Sequence, residues 1–322
     1  MSIASQLTAL EGNISNAYNM VAQRGGTVPA RKNMENLDDA IATIPSGGGQ
    51  PSGIPRGVSS SGVYGKPTSS YSFSLPSGAT NLEAWALYYA FYSSLNLTSV
   101  DMGTLTEITT SNAATYAFYS CNGITSVDLG SLETVSGVTA LQYAFYSCIS
   151  LANLDLSSLT TVSGSNAMSN CFSSCRSLTS LDLSSLTTIS GSSAMNSCFS
   201  GCSSLTTVDL SSLTTVSGSS ALSYAFSYDP ALSTVKLDSL SVLTGSNALN
   251  YAFRNCTSLT SLSFPSLTTS SFGSYTNQFN NMLRNCTGVT VHFPAAIQST
   301  IGGWTDVTNG FGGTNTTVLF DL

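Results

Sequence analysis

The hydrophobic and polar positions of this chain repeat every 27 residues over most of its length. A Val/Leu-Asp step recurs at Val100-Asp101, Val127-Asp128, Leu154-Asp155, Leu181-Asp182 and Val208-Asp209, and in degraded form at Val235-Lys236 and Leu262-Ser263. Phenylalanines keep the same interval at Phe91, Phe118, Phe145, Phe172, Phe199, Phe226 and Phe253, and glycines at Gly137, Gly164, Gly191, Gly218 and Gly245. A fixed period of this kind indicates a solenoid, in which stacked units bury a continuous core.

A single unit, Cys202–Tyr228, reads CSSLTTVDLSSLTTVSGSSALSYAFSY. LTTVDL alternates apolar and polar residues, which predicts a strand with one buried face, and SSLTTV predicts a second short extended piece. SGS predicts a turn in which the glycine is free to adopt a positive φ. ALSYAFSY places Ala, Leu and Phe at near-helical spacing, which predicts one or two helical turns with Phe inward. The expected fold is an α/β solenoid of about nine such rungs with a parallel β-sheet.

The pattern C-x-S-L-T-x-[LV]-x-L…L-T-x-[VI]…A-F resembles the BspA type of bacterial surface-antigen leucine-rich repeat, over about residues 70–294. This resemblance implies a leucine-rich repeat solenoid that serves binding or adhesion and has no catalytic residues. The units here are longer than usual because of an SGSNAL-like segment before Ala-Phe. They also often have Asp-Leu-Ser where the family commonly has a Leu-Pro step.

The chain ends differ from the repeat and predict four regions: a helical attachment region (1–45), a Gly/Ser/Pro linker (46–68), the solenoid (69–294) and a C-terminal cap (295–322). A heptad seam predicts either a short parallel coiled coil, with a trimer favoured, or an amphipathic helix packed on the next segment. The candidate oligomerisation residues of this seam are Ile3, Leu7, Leu10, Ile14, Ala17 and Val21.

The segment Gly25–Gly49 resembles attachment regions of tail-fibre and minor structural proteins of tailed bacteriophages, through Gly26-Thr27-Val28-Pro29, Asn33, Leu37, Ala40-Ile41 and Ile44-Pro45. This resemblance implies a virion protein that binds other virion proteins through its N-terminal region. No secretory signal is visible, which suits synthesis in the host cytoplasm. The alternatives are a bacterial cell-surface adhesin of the same repeat type, or a purely architectural fibre protein.

Composition narrows the possible chemistry. Charged residues make up 8% of the chain, the net charge is −7 and His292 is the single histidine. An acidic chain disfavours nucleic acid, and no apolar stretch is long enough to span a bilayer. Most carboxylates are copies within the repeat, so we expect no enzyme, no cofactor and no metal site. The eight cysteines largely follow the repeat, which favours buried thiols over disulfides or metal ligands.

Two outward columns are candidate binding surfaces. Tyrosines flank the inward phenylalanines and predict an uncharged surface for a host glycan or protein, or else simple packing between rungs. These candidates are Tyr89, Tyr92, Tyr116, Tyr119, Tyr143, Tyr146, Tyr224 and Tyr251. Aspartates form an acidic stripe that predicts a solvated polar face, or else a cation- or partner-binding one. Its members are Asp101, Asp128, Asp155, Asp182 and Asp209.

Overall fold

The structure is a computed structural model, and it describes residues 70–75 and 78–322. The predicted helical region, its heptad seam and the linker lie outside the described residues. The described chain winds into a parallel β-solenoid with turns of about 27 residues. The predicted repeat solenoid with parallel sheets is therefore confirmed.

Short strands recur at two places in each turn. Within the described residues they are β1 (Tyr71–Ser74), β2 (Leu97–Asp101), β3 (Glu107–Ile108), β4 (Ser126–Asp128), β5 (Thr134–Val135), β6 (Asn153–Asp155), β7 (Thr161–Val162), β8 (Ser180–Asp182), β9 (Thr188–Ile189), β10 (Thr207–Asp209), β11 (Thr215–Val216), β12 (Thr234–Lys236), β13 (Val242–Leu243), β14 (Ser261–Ser263), β15 (Thr290–Phe293) and β16 (Thr317–Phe320).

The first face of the solenoid consists of three parallel sheets, with strand orders β1-β2-β4-β6, β12-β10-β8 and β14-β15-β16. The repeat keeps neighbouring strands in register, so that Val100 pairs with Val127 and Asp101 with Asp128. Since side chains alternate along a strand, the aliphatic residue points into the core and the aspartate points out. Val100 and Val127 are buried and Asp128 is exposed, as the pattern predicts.

The second face is one sheet of six two-residue strands, in the order β13-β11-β9-β7-β5-β3. Its threonines pair in register, as do its buried Val and Ile residues; Val162, for example, pairs with Ile189. This is the second extended piece predicted for each unit.

The third side of each turn differs from the prediction, because it contains no helix. It is a series of β-turns, which we call the turn ladder. Backbone hydrogen bonds within one β-turn alternate there with backbone hydrogen bonds to the next turn of the solenoid. The Ala117 amide donates to the Ala114 carbonyl at 3.1 Å, and the Phe118 amide donates to the Ala144 carbonyl at 2.7 Å. Every fourth residue is left-handed, as at Tyr116 with φ 56°. A four-residue turn repeat spaces its apolar positions almost as a helix does, which explains the incorrect prediction.

The repeated glycine also has a different role from the predicted one. A Cβ at Gly191 would overlap the carbonyl oxygen of Gly164, one turn earlier, and Gly164, Gly218 and Gly245 are crowded in the same way. None of these glycines has a positive φ. The glycine is therefore required by the close approach of two backbones, and conformational freedom is not the reason.

Two ladders of identical side chains form much of the core. The repeat phenylalanines from Phe118 to Phe253 are buried, and successive rings stack nearly parallel, with centroids 4.9 Å apart for Phe118 and Phe145. All eight cysteines are buried. The Cys148 thiol donates to the Phe118 carbonyl at 3.3 Å, and Cys175 and Cys202 repeat this contact. The prediction of buried thiols in equivalent core positions is confirmed.

Residues 295–322, the predicted cap, contain two short 3-10 segments (Ala295–Ile297 and Gly310–Gly312) and two single-turn helices, α1 (Gln298–Ile301) and α2 (Thr305–Thr308). Ile297, Ile301 and Phe311 are buried. The same residues end in β16, which continues the sheet in parallel with β15. No helix in the described part of the chain is long and apolar enough to cross a membrane.

Candidate binding surface

Six of the predicted tyrosines form two parallel stacks on the turn ladder, and we call this set the tyrosine surface. One stack is Tyr89, Tyr116 and Tyr143, with successive ring centroids 4.7 and 4.9 Å apart. The other is Tyr92, Tyr119 and Tyr146, with centroids 4.9 and 4.8 Å apart. Within one turn the two stacks also touch, since the Tyr116 and Tyr119 rings lie 5.7 Å apart. The structure therefore joins these six residues into one continuous patch.

The backbone of the turn ladder positions the rings. Tyr89, Tyr116 and Tyr143 each occupy a left-handed position, with φ of 55° to 56°, which bulky residues seldom adopt. Cross-turn hydrogen bonds hold this conformation; the Tyr116 amide, for example, donates to the Gln142 carbonyl at 3.0 Å. The repeat then copies the geometry from turn to turn, so that each ring lies over its equivalent.

The rings serve packing and remain accessible. Stacked aromatic pairs contribute about 0.5–1.5 kcal/mol each beyond their buried area, so the tyrosines do hold adjacent turns together. All six are nevertheless partly exposed, and Tyr92 is 37% exposed. Packing between rungs and ligand binding are therefore compatible uses of the same residues.

The surface is uncharged at physiological pH. Burial is the main cause that raises the pKa of Tyr89, Tyr116 and Tyr119, and neighbouring tyrosines raise it further. These three phenols therefore stay protonated, and each tyrosine of the surface offers a hydroxyl group beside an aromatic face. That combination suits sugars and polar protein surfaces.

The aromatic patch is larger than the sequence pattern predicts. Tyr88 contacts the Tyr89 ring at 4.6 Å, and the 43%-exposed Trp85 contacts Tyr88 at 4.7 Å. Trp85 lies 27 residues before Asn112, and both are left-handed turn residues. Aligning the turns at the repeat interval would have placed Trp85 on this side of the solenoid.

The remaining two predicted tyrosines form a separate pair. Tyr224 and Tyr251 stack with centroids 4.8 Å apart. Asn170 and Ser197 occupy the equivalent left-handed positions between Tyr143 and Tyr224, so the column of tyrosines is interrupted for two turns. The sequence pattern predicts both groups in one column, and the structure separates them into two patches.

The aspartates of the acidic stripe accept hydrogen bonds from the backbone of their own turns. Each carboxylate accepts a hydrogen bond from the amide two residues later; the distance is 2.8 Å from Gly130 to Asp128 and 3.0 Å from Ser157 to Asp155. The hydrogen bonds from the amide and the hydroxyl of Ser157 lower the pKa of Asp155. Lys236 ends the series and pairs with Asp209 at 2.6 Å. Within the described residues, no three His, Cys, Asp or Glu side chains are grouped as metal ligands. Binding of a partner by the stripe stays a prediction.

Repeated in-register turns around stacked Leu, Phe and Cys positions define a leucine-rich repeat protein. The family model for the BspA type leucine rich repeat region matches six copies, over residues 63–171, 115–244 and 169–300. The chain therefore belongs to the BspA-type leucine-rich repeat family. No match was found among curated proteins.

Three solved structures are similar to this chain. A leucine rich repeat protein of T. pallidum is 23% identical, over 52% of this chain and 69% of that one, with a TM-score of 0.35. A leucine-rich repeat protein of Bacteroides ovatus is 16% identical, over 77% and 92%, with a TM-score of 0.28. A leucine rich cell surface protein of Faecalibacterium prausnitzii is 16% identical, over 78% and 88%, with a TM-score of 0.20.

Proposed function

We propose that this chain is a non-enzymatic bacteriophage virion structural protein, in a tail fibre, baseplate or head fibre, whose solenoid recognises the host surface through the tyrosine surface. The observation that carries the recognition role is the double stack of six partly exposed tyrosines. A host glycan would lie on the ring faces and hydrogen-bond to the phenols, and a host protein would use the same contacts.

The chemistry of the described residues supports a binding role. The aspartate carboxylates of the first face accept hydrogen bonds from the backbone of their own turns, as at Asp128. His292 lies 3.0 Å from Asp321 at the C-terminal end of the solenoid. The cysteines are buried, and burial raises the pKa of seven of the eight thiols, that of Cys175 among them, which opposes their use as nucleophiles. Affinity in a virion would come from several copies acting together, because linked weak sites gain effective concentration.

The virion assignment rests on the residue pattern of Gly25–Gly49 and on the heptad seam, both outside the described residues. The alternative is a bacterial cell-surface adhesin, with which membership of the BspA-type family is equally compatible. Immunogold labelling separates the two, because the virion protein would label purified phage particles and an adhesin would label the surface of the producing cell. The same experiment with truncated chains would test the N-terminal region as the attachment handle.

The recognition role is tested by a triple Tyr116→Ser, Tyr143→Ser, Tyr146→Ser variant. Serine is the native residue at the turns equivalent to Tyr146, at Ser173 and Ser200, so the turn accepts it. Labelled full-length chain would be measured for binding to a panel of bacterial isolates by flow cytometry. We expect the triple variant to lose most binding to any isolate that the native chain labels.

A matched triple Tyr→Phe variant keeps the ring stacks and removes the hydroxyls, and separates stacking from hydrogen bonding. Circular dichroism melting of each variant reports whether the solenoid is intact. A folded serine variant that binds as well as the native chain would refute the recognition role of these tyrosines. Binding to no isolate at all would instead favour the architectural alternative.

A further inference from the structure

A second cluster lies further along the turn ladder, around two arginines. The guanidinium carbon of Arg254 is 5.0 Å from the ring centroid of Tyr228 and 5.6 Å from that of Tyr251. The guanidinium carbon of Arg284 is 5.8 Å from the Tyr251 ring, and its Nη1 donates to the Tyr251 hydroxyl at 3.1 Å. Arg254 and Arg284 occupy equivalent positions on adjacent turns, so that two cations flank one aromatic ring.

These arginines have no carboxylate partner among the described residues, whose ion pairs involve only Lys236 and His292. The described part of the chain has twelve acidic residues and four basic ones, so unpaired arginines side by side are unexpected. Burial and the Tyr251 ring raise the pKa of the nearby Tyr224 phenol. The positive charges of Arg254 and Arg284 lower the same pKa and so offset part of the rise. No carboxylate is among the groups that shift it.

The outer donors of this cluster are available to a ligand. The Nε of Arg254 is buried and without a hydrogen-bond partner, which leaves its terminal nitrogens as the accessible donors. Arg284 is exposed and Tyr228 is 47% exposed. Asn255 and Asn285 are paired beside them at 2.9 Å and add amide donors and acceptors. The cluster therefore combines a planar cationic pair, aromatic faces and amides.

One column of the turn ladder changes chemistry along the solenoid. The residues at the position of Arg254, from the first turn to the last, are Tyr92, Tyr119, Tyr146, Ser173, Ser200, Ser227, Arg254 and Arg284. Arginine pairs with carboxylate, phosphate or sulfate groups through two parallel hydrogen bonds, and lysine does not. The last two turns therefore differ from the tyrosine surface in the ligand that they suit.

We propose that Arg254 and Arg284, together with Tyr224, Tyr228 and Tyr251, form a second binding site that selects a sugar carrying an oxyanion, such as a carboxylate or a sulfate. The oxyanion binds the guanidinium pair and the sugar ring lies on the tyrosine faces. The proposal rests on the proposed role of the chain as a surface-recognition protein, and it adds a ligand class that the uncharged tyrosine surface would not select.

The test uses three ligands that share one neutral core: lactose, 3′-sialyllactose and 3′-sulfolactose. Their affinity for the full-length chain is measured by ligand-observed NMR titration. We expect each anionic ligand to bind at least about tenfold more tightly than lactose, and to weaken as NaCl is raised from about 50 to about 500 mM. If only one of the two binds, that result identifies the oxyanion.

The variants are Arg254→Ser, Arg284→Ser and the double mutant, since serine is native at three equivalent turns. We expect the double mutant to bind anionic ligands no better than lactose. Arg176→Ser is the matched control, because Arg176 is exposed and its replacement removes the same charge outside the cluster. If the double serine variant does not fold, the Arg254→Lys, Arg284→Lys variant tests the proposal instead. It keeps both positive charges and loses the planar guanidinium groups that form two parallel hydrogen bonds with an oxyanion.

The proposal would be overturned by equal affinity for anionic and neutral ligands, by an equal loss in Arg176→Ser, or by an unchanged affinity in the folded arginine variants. An acidic peptide that binds the arginines where neither anionic sugar does would also overturn it. The Tyr116, Tyr143, Tyr146 serine variant should keep its affinity for 3′-sialyllactose. Failure of this site is thus distinguishable from failure of the recognition role of the tyrosine surface.

Discussion

Asp229 occupies a position where neighbouring turns have cysteine, and replacing it should stabilise the protein. It lies 27 residues after Cys202 and 27 before Cys256. Those thiols donate to backbone carbonyls of Phe172 and Phe226, at 3.3 and 3.0 Å. The Asp229 side chain is fully buried, and neither carboxyl oxygen has a hydrogen-bond partner. A buried ion without a partner is costly, so the group is expected to stay protonated.

Burial raises the pKa of Asp229 to about 8. The nearby amides of Gly201 and Cys202 lower it in part, but they already donate to the Ser227 and Phe199 carbonyls. In the unfolded chain the carboxyl titrates near 3.8. Between these two values the folded state holds a proton that the unfolded state has released, so stability falls as pH rises from about 4 to about 8.

The size of the effect follows from that difference. Each pH unit in this interval costs about 1.4 kcal/mol, so at pH 7 the group destabilises the fold by about 4 kcal/mol relative to acid conditions. Asp229→Cys removes this pH-dependent destabilisation and places a cysteine at the position where the neighbouring turns have Cys202 and Cys256. We therefore expect the free energy of unfolding of the variant to exceed that of the native protein by an amount that grows between pH 5 and pH 8.

The assay is urea unfolding at five pH values from 5 to 9, followed by circular dichroism, with a reductant present. The difference between variant and native protein isolates Asp229 from the aspartates of the first face, whose lowered pKa acts in the opposite sense, as at Asp155 and Asp209. Asp238→Asn, an exposed change, is the control and should alter stability by less than about 0.5 kcal/mol. A difference that does not vary with pH would refute the reasoning, because it would mean that the buried carboxyl does not retain its proton.

The other predictions concern the core. Gly191→Ala should destabilise by about 2 kcal/mol or more, because its Cβ would overlap the Gly164 carbonyl, whereas Gly303→Ala, with open space around its Cβ, should leave the melting temperature nearly unchanged. Phe172→Ala should cost about 3–5 kcal/mol in urea unfolding, since it opens a gap in the stacked phenylalanine column, and a loss below 1 kcal/mol would contradict that column as a packed core. The eight buried thiols should react with a disulfide reagent only as fast as the chain unfolds, and rapid labelling of native protein would contradict their burial.

The repeat interval alone was sufficient to predict much of the fold. Strand positions and the outward aspartates follow from period-2 alternation within a 27-residue unit, and the recurrence of phenylalanine at the same interval predicts one inward column. The turn ladder was missed because its apolar positions, such as Ala114 and Phe118, are spaced by four, close to the helical period. The cross-turn hydrogen bonds that favour turns over a helix depend on the neighbouring unit and are invisible in a single unit.

The candidate site was predicted in part. The six tyrosines of the tyrosine surface were identified because they flank the phenylalanines at a constant offset. Arg254 and Arg284 were missed, since the last unit is longer and places Arg284 thirty residues after Arg254. The position of Asp229 is detectable from the sequence, because it lies 27 residues from both Cys202 and Cys256, but its burial without a hydrogen-bond partner is not.

The in-register stacking of near-identical turns has a genetic consequence. Leu178–Thr188 and Leu205–Thr215 differ at only two positions, Ser180/Thr207 and Leu181/Val208. Unequal crossing-over between such segments would add or delete whole turns while leaving the glycine approach, the phenylalanine stack and the thiol contacts intact at the new junction. Each exchange would shift the boundary between tyrosine, serine and arginine in the outward column. The ligand preference that we propose for this column would therefore diversify by recombination, with no new folding problem to solve.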